Sequence, residues 1–207
     1  MLLSPPPIVV STVGSPSLQV LKASIQAYTP QTELIVYQGS QTNFGDAYNA
    51  ALTLAFEKHN SVLIANDDVV LHPDTIPTLM EDVAVLTKWN KVGFVACRSD
   101  FVRRDQDIRF NNGDFICPAY AISPIFAWLS REAFQESWGF PPLNWYSDDV
   151  ICYDMEKLGY KHFISKSYIH HVGSNTIGHD HKHLTEAAKP WIMTNRPDYY
   201  KLWFPQP

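Results

Sequence analysis

The 207-residue chain has little cysteine, no long apolar run and no excess of positive charge. Each absence removes a class of function. Its three cysteines, Cys97, Cys117 and Cys152, share no metal-like spacing and cannot all pair. A disulfide framework and a cysteine-held zinc site are therefore excluded, and free thiols in a reducing, cytoplasmic compartment are expected. No apolar run reaches the roughly 18 residues that a membrane span requires, so no integral membrane segment is expected. The start, Met1-Leu2-Leu3-Ser4-Pro5-Pro6-Pro7, lacks the basic region and the length of a signal peptide. Lys and Arg total 16 against 21 Asp and Glu, a net charge of −5, and the basic residues form no cluster. Nucleic acid is thus not expected as a partner. There is no internal repeat and no low-complexity block.

What is present is material for a packed core. Apolar residues make up 45% of the chain and aromatic residues 13%, which excludes disorder, collagen and a coiled coil. Short apolar runs at 8–13, 33–37 and 61–65 alternate with helix-spaced apolar residues. Leu18, Leu21, Ile25 and Tyr28 form one such face; Ala47, Ala51, Leu54 and Ala55 a second; Ile76, Leu79, Met80 and Val83 a third. Strand, helix, strand, helix, strand in under 90 residues predicts a βαβαβ unit and an α/β fold with a mostly parallel sheet. Further strands are expected at 92–97 and 126–129, and short ones at 162–164 and 168–170. Ser130 is expected to cap a short helix, and Ser147 a longer one that ends at Gly159. The polar stretch from Arg98 to Pro118 reads as a long loop, and the chain beyond His171 as a histidine-rich loop and an aromatic tail.

Three groups of residues carry possible chemistry. Asn66-Asp67-Asp68 ends the third predicted strand, and open parallel sheets bind ligands beyond the carboxyl ends of their strands. Adjacent carboxylates there suit a hard divalent cation, which shares oxygen ligands with phosphates; the same residues also suit a plain turn. Ser147-Asp148-Asp149 opens a predicted helix, where acids either interact favourably with the helix dipole or serve as a general base. Five of the eight histidines, His170, His171, His179, His181 and His183, form the third group. They suit metal or phosphate, or a solvated loop. Trp128, Trp138, Trp145 and Tyr146 suit either a sugar-stacking surface or the core.

Taken in order, these blocks resemble the GT-A glycosyltransferases, in particular the large, mostly inverting bacterial branch. The resemblance rests on Asn43-Phe44-Gly45-Asp46-Ala47-Tyr48-Asn49, then Ala65-Asn66-Asp67-Asp68 followed by His72-Pro73-Asp74. It continues through Ser130-Arg131-Glu132-Ala133-Phe134, Gly139-Phe140-Pro141, Ser147-Asp148-Asp149 and Gly159-Tyr160, to Tyr168-Ile169-His170-His171-Val172-Gly173-Ser174. It covers about residues 8 to 175. It implies a Rossmann-like, three-layer α/β/α GT-A fold in one domain over 1–207. Residues 8–90 would form a nucleotide-binding half, 91–175 an acceptor and catalytic half, and 176–207 a C-terminal loop and tail.

It further implies an inverting, Mn²⁺- or Mg²⁺-dependent transfer of a sugar from a nucleotide-diphosphate donor, a UDP-sugar, to a saccharide or other hydroxyl acceptor. Thr12, Val13, Gly14 and Gln38 would face the nucleoside; Gly45 and Asn49 would lie on the same side. Asn66 and Asp68 would occupy the outer positions of a DXD motif, with Asp68 the metal ligand, Asp67 near the ribose or sugar, and His170 or His171 completing the metal site or contacting the diphosphate. Counting back from Gly159-Tyr160 puts Asp148 at the catalytic base position. Ser147 stands where the family more often has Glu, and Asp149 is the neighbouring acid that could compensate. The loop from Arg98 to Asp114 and the histidine loop are expected to close over the donor. Two rivals are a sugar-phosphate nucleotidyltransferase and a non-catalytic nucleotide-sugar-binding module. The first should carry a basic, glycine-rich phosphate loop, and Thr12-Val13-Gly14-Ser15-Pro16-Ser17 has no basic residue.

Overall fold

Strands whose residues are apolar on both faces need cover on both faces, and the chain supplies helices for each. The computed structural model describes residues 5–39, 43–111, 113–173 and 181–204. Its first half runs β1 (Ile8–Ser11), α1 (Ser17–Tyr28), β2 (Leu34–Tyr37), α2 (Phe44–Phe56), β3 (Ser61–Ala65), β4 (Val69–Leu71) and α3 (Thr75–Leu86). It continues with β5 (Val92–Arg98), β6 (Cys117–Ala119), β7 (Phe126–Ser130), α4 (Arg131–Glu136), α5 (Ser147–Lys157), β8 (Lys161–His171), α6 (Lys182–Asn195) and α7 (Pro197–Trp203). The strands form one mixed sheet in the order β2-β1-β3-β7-β5-β8-β4, with β6 also on β8. β1, β2, β3, β5 and β8 share a direction; β4, β6 and β7 oppose it. This is the expected three-layer α/β fold with a mostly parallel sheet.

Strand alternation sorts the core into two halves. Ile8, Val10, Leu63, Ala65, Val95 and Trp128 face α1 and α3, meeting Leu21, Ile25, Leu79 and Val83. Val9, Val62, Ile64, Phe94, Ala127 and Leu129 face the other way, toward Tyr48, Ala51 and Leu52 of α2, Phe134 of α4 and Ile151 of α5. Fully burying a Leu, Ile, Val or Phe side chain stabilises the fold by about 1.5–3 kcal/mol, so these two faces supply most of the driving force. Trp128 is accordingly core and not part of a sugar surface, whereas Trp138 is 91% exposed.

Several elements differ from the sequence reading, among them β6, which lies at the end of the stretch read as a loop and pairs antiparallel with β8. Val69–Leu71, too short to read as a strand, is β4, antiparallel to the end of β8. The two short strands expected near 162–170 are one continuous β8. Its polar middle is buried but satisfied: Ser165 Oγ donates to Asp82 Oδ2 (2.7 Å) and Ser167 Oγ to the Thr75 carbonyl. Ser147 is not a cap. Tyr146, in the left-handed region at φ 67°, precedes α5, and the Ser147 hydroxyl donates to the Pro141 carbonyl (2.7 Å). The segment read as loop and tail contains α6 and α7. They pack Ala188, Ile192 and Tyr199 on Leu143 and Val150, and Arg196 pairs with Asp154 of α5 at 2.8 Å. Pro190 inside α6 and the sparse apolar face hid those helices from the pattern.

Ser130 does cap α4, accepting from the Ala133 N–H (3.1 Å). Gly159, at φ 84°, stops α5 as expected. The Tyr160 and Gly159 N–H groups donate to the Met155 and Glu156 carbonyls, the paired C-terminal closure that a left-handed glycine permits. All three cysteines are free thiols. Among the described residues, no helix is long and apolar enough to cross a membrane.

Candidate functional site

The carboxyl ends of β1, β3 and β8 point to one side of the sheet, and α5 begins beside them. Together they enclose a cavity of about 750 Å³. Thr12 and Val13 follow β1, and Asn66, Asp67 and Asp68 follow β3; all five line it, with His171 and Asp148. The Thr12 hydroxyl donates to Asp67 Oδ2 (2.5 Å) and accepts the Gly14 N–H (3.0 Å), joining the two strand ends. Burial raises the Asp67 carboxyl above its ordinary value, and the Thr12 hydrogen bond opposes that shift.

β4 explains how Asp68 meets a residue about a hundred positions away. Val69 pairs in register with His171, and the Val172 N–H donates to the Asp68 carbonyl (3.0 Å). His171 Nε2 then lies 3.3 Å from Asp68 Oδ1. Its Nδ1 lies 3.2 Å from the Phe101 carbonyl, and its backbone N–H donates to Asp100 Oδ1 (2.8 Å). Burial opposes charge on this imidazole, but the hydrogen bond and charge of Asp68 outweigh it and raise its pKa. His170 points to the opposite face of the strand, where Nδ1 pairs with Asp100 Oδ2 at 2.7 Å and half the side chain is exposed. Of the two histidines, His171 is thus the one beside Asp68.

Asp68 and His171 suit a divalent ion that takes carboxylate and imidazole ligands and shares its remaining positions with phosphate oxygens. The Phe101 carbonyl favours a proton on Nδ1, so a bound ion that displaced the Nε2 proton would find Nε2 as its ligand. Among the described residues, no group of three or more His, Cys, Asp or Glu side chains is placed to hold a metal alone.

Asp148, also lining the cavity, sits in the first turn of α5 with Asp149 beside it. Arg103 spans the pair, its two terminal nitrogens 3.3 Å from Asp148 Oδ2 and 3.2 Å from Asp149 Oδ1. Burial and the charge of Asp149 push the Asp148 carboxyl up to about 6, while Arg103 holds it back. Asp148 lines the cavity and Asp149 is not among the lining residues.

Four expected nucleotide-side residues lie elsewhere. Gly45 faces away from the cavity, against the Pro141 carbonyl and the Ser147 hydroxyl. Asn49 exchanges two hydrogen bonds with the Phe140 backbone, at 2.7 and 2.8 Å. Both hold the segment leading to α5. They share that task with the Gly45 N–H and Phe44 N–H, which donate to the Leu143 carbonyl (3.1 Å) and Asn144 Oδ1 (2.9 Å). Gln38 is exposed at the end of β2, next to Gly14, and neither is among the lining residues; the neighbouring Gly39 is. His179 lies outside the described residues. His181 and His183 line the cavity, and the His181 ring stacks on Trp145 with centroids 4.4 Å apart.

No protein-family profile matches the chain, and no curated protein matches it in sequence. Among solved structures it is similar to a mannosyltransferase from Pyrobaculum calidifontis, determined in complex with GDP-mannose and Mn²⁺, at a TM-score of 0.60. The two share a fold. The likeness covers 85% of this chain at 16% identity, and the chain spans 59% of the length of that mannosyltransferase.

At the cavity, sequence reasoning missed Phe44, Tyr48 and Arg103. Phe44 and Tyr48 form an aromatic wall, their rings 4.6 Å apart, and the Tyr48 hydroxyl donates to the Ala65 carbonyl (2.8 Å). Their signal was the Asn43 to Asn49 block itself, read only for its glycine and asparagine. Arg103 had no local signal. The loop expected to act as a lid is pinned down: buried Arg98 donates to the Asn111 and Phe115 carbonyls, and Gln106 donates to those of Cys97 and Ser123.

Proposed function

We propose that the protein is a glycosyltransferase that moves a sugar from a nucleoside-diphosphate donor to an acceptor hydroxyl, with Asp148 as the general base. The observation that carries this reading is one cavity lined both by the Asp68–His171 pair and by the partly buried, Arg-tethered carboxylate of Asp148. The architecture is then of the GT-A type, with Thr12, Val13, Phe44 and Tyr48 around the nucleoside. Asn66 and Asp67 lie toward the ribose and sugar. A Mn²⁺ or Mg²⁺ ion bound by Asp68 and His171 would neutralise the negative charge that develops on the departing diphosphate.

Asp148 accepts the acceptor proton as its oxygen attacks the anomeric carbon. The bond from that carbon to the diphosphate breaks on the opposite face, so the configuration inverts. Trp145, stacked on His181, lines the same cavity and suits a saccharide acceptor. Uridine is the base that the sequence resemblance favours, and guanosine is the base in the similar mannosyltransferase.

The experiment measures nucleoside diphosphate released from UDP- and GDP-sugars with Mn²⁺, then with the metal chelated. Release from one donor class, lost on chelation and restored by Mn²⁺, is expected. Absence of release from every donor and acceptor tried would contradict the reading. The pH profile adds a second expectation. A base must be ionised to act, and a raised carboxyl stays protonated at pH values where an ordinary one has ionised. The acidic limb of kcat/KM should therefore lie near pH 6, with activity lost below it. A limb near pH 4 would point to a different base.

A further inference from the structure

The carboxylates at the start of α5 are not free to choose their orientation. Arg103 uses one terminal nitrogen for Asp148 and the other for Asp149, and its Nε donates to Ser123 Oγ (3.1 Å). The Ser123 N–H in turn donates to Gln106 Oε1 (3.1 Å), and the fully buried Gln106 amide donates to the Cys97 and Ser123 carbonyls. The arginine is therefore fixed by the sheet as well as by the acids. The short segment that carries it also touches His171, through Asp100 on its backbone N–H and the Phe101 carbonyl near its Nδ1.

We propose that Arg103 is a positioning residue for the Asp148 base. Its planar fork engages Asp148 Oδ2, leaves the second oxygen of that carboxylate outside the ion pair, and draws Asp149 away as a non-reacting counter-charge. The inference rests on the proposed function and deepens it by dividing the work between two adjacent acids: Asp148 reacts, and Asp149 balances the arginine. Arg103 and Asp149 also act on Asp148 with opposite sign, the cation favouring its ionised form and the neighbouring acid opposing it. The other titratable groups around Asp148 are Cys152 on its own helix, Tyr146 at the start of that helix and Tyr199 on α7. Burial raises the Cys152 thiol and the Tyr199 hydroxyl well above their ordinary values, so neither competes near neutral pH. His181 and His183 share the cavity.

The test compares Arg103→Gln, Arg103→Lys and Asp149→Asn with the unaltered protein. Two readouts are used: the acidic limb of kcat/KM for donor turnover, and the titration of the Asp148 carboxyl carbon by ¹³C NMR, assigned by its absence in Asp148→Asn. In the turnover assay, with GDP- or UDP-sugar and Mn²⁺, water can replace the acceptor. Its oxygen bonds to the anomeric carbon, the diphosphate leaves, and the proton passes to Asp148. Arg103→Gln should move both readouts up by about one pH unit or more, and Asp149→Asn should move them down by a similar amount. Arg103→Lys should fall between, keeping the charge but losing the fork. Shifts in the same direction for Arg103→Gln and Asp149→Asn, or no shift in either, would overturn the proposal. Should Arg103→Gln fail to show a cooperative melt, Asp149→Asn and Arg103→Lys carry the same comparison. Should the unaltered protein turn over no donor, the proposed function fails, and the NMR titration still decides whether Arg103 controls Asp148.

Discussion

Asp148→Asn is expected to reduce donor turnover by about 10²–10⁴-fold while leaving metal-dependent nucleotide binding intact. The substitution keeps the size of the side chain and an oxygen that can still accept from Arg103, whose terminal nitrogen lies 3.3 Å from Asp148 Oδ2. It removes the ability to take up a proton and the negative charge facing Arg103, while Asp149 remains to balance that arginine. The effect should appear in kcat, because the donor wall around Thr12, Asn66 and Asp68 is formed by other elements. Calorimetry with the nucleoside diphosphate and Mn²⁺ supplies the control. Unchanged turnover would move the base elsewhere, with Asp149 the first residue to substitute next. Unchanged turnover with loss of binding would be harder still to reconcile with a base at this position. A binding module without catalysis would be indifferent to the change in both assays.

Gly45→Ala should lower stability by about 1–3 kcal/mol, a fall of about 3–10 °C in melting temperature for a chain of this size. A methyl group at this position would overlap the Pro141 carbonyl oxygen and stand 2.9 Å from the Ser147 hydroxyl. Neither neighbour is free to yield. The Pro141 carbonyl accepts the Ser147 hydroxyl, and the Gly45 N–H donates to the Leu143 carbonyl. Relief must come from moving the segment 141–147 as a whole, which displaces Asp148 next to it. Turnover should therefore fall more steeply than stability alone accounts for when both are measured well below the melting temperature. A Gly45→Ala protein that melts and turns over like the parent would mean that α2 and the start of α5 are not in the close contact described.

These two residues also mark what the sequence could and could not convey. Periodic apolar residues placed α1, α2 and α3 and the strands between them, because each buries a whole face and the pattern repeats. Elements stabilised by other means were lost. β4 is three residues held by pairing with β8, and the middle of β8 is a run of serines and lysine satisfied by Asp82 and Thr75. Helices α6 and α7 are tied down by an ion pair and a small aromatic cluster. At the site, Asp68, His171 and Asp148 were legible as residue types in order, and the fold gathers them at one cavity. Gly45 and Asn49 stood out equally in sequence, yet they act on the backbone of 139–147, a contact 91 to 100 positions away for Asn49 and Phe44. Arg103 belongs to the same class. Its meaning lies in two partners about 45 residues further along, and no local pattern announces such a contact.

The account turns on whether the cavity binds a nucleoside diphosphate through a divalent ion at Asp68. The most direct measurement is the melting temperature of the protein and of Asp68→Ala with UDP, GDP, CDP and dTDP, each with and without Mn²⁺. A ligand that binds only the folded state at about a hundred times its Kd adds about 2.7 kcal/mol, or about 5–10 °C here. The prediction is a rise of that order for one diphosphate, present only with Mn²⁺ and lost in Asp68→Ala. A rise that ignores the metal or survives the substitution would contradict the assignment of Asp68. No rise with any of the four, at saturating concentration and with Mn²⁺ present, would contradict the nucleotide site itself.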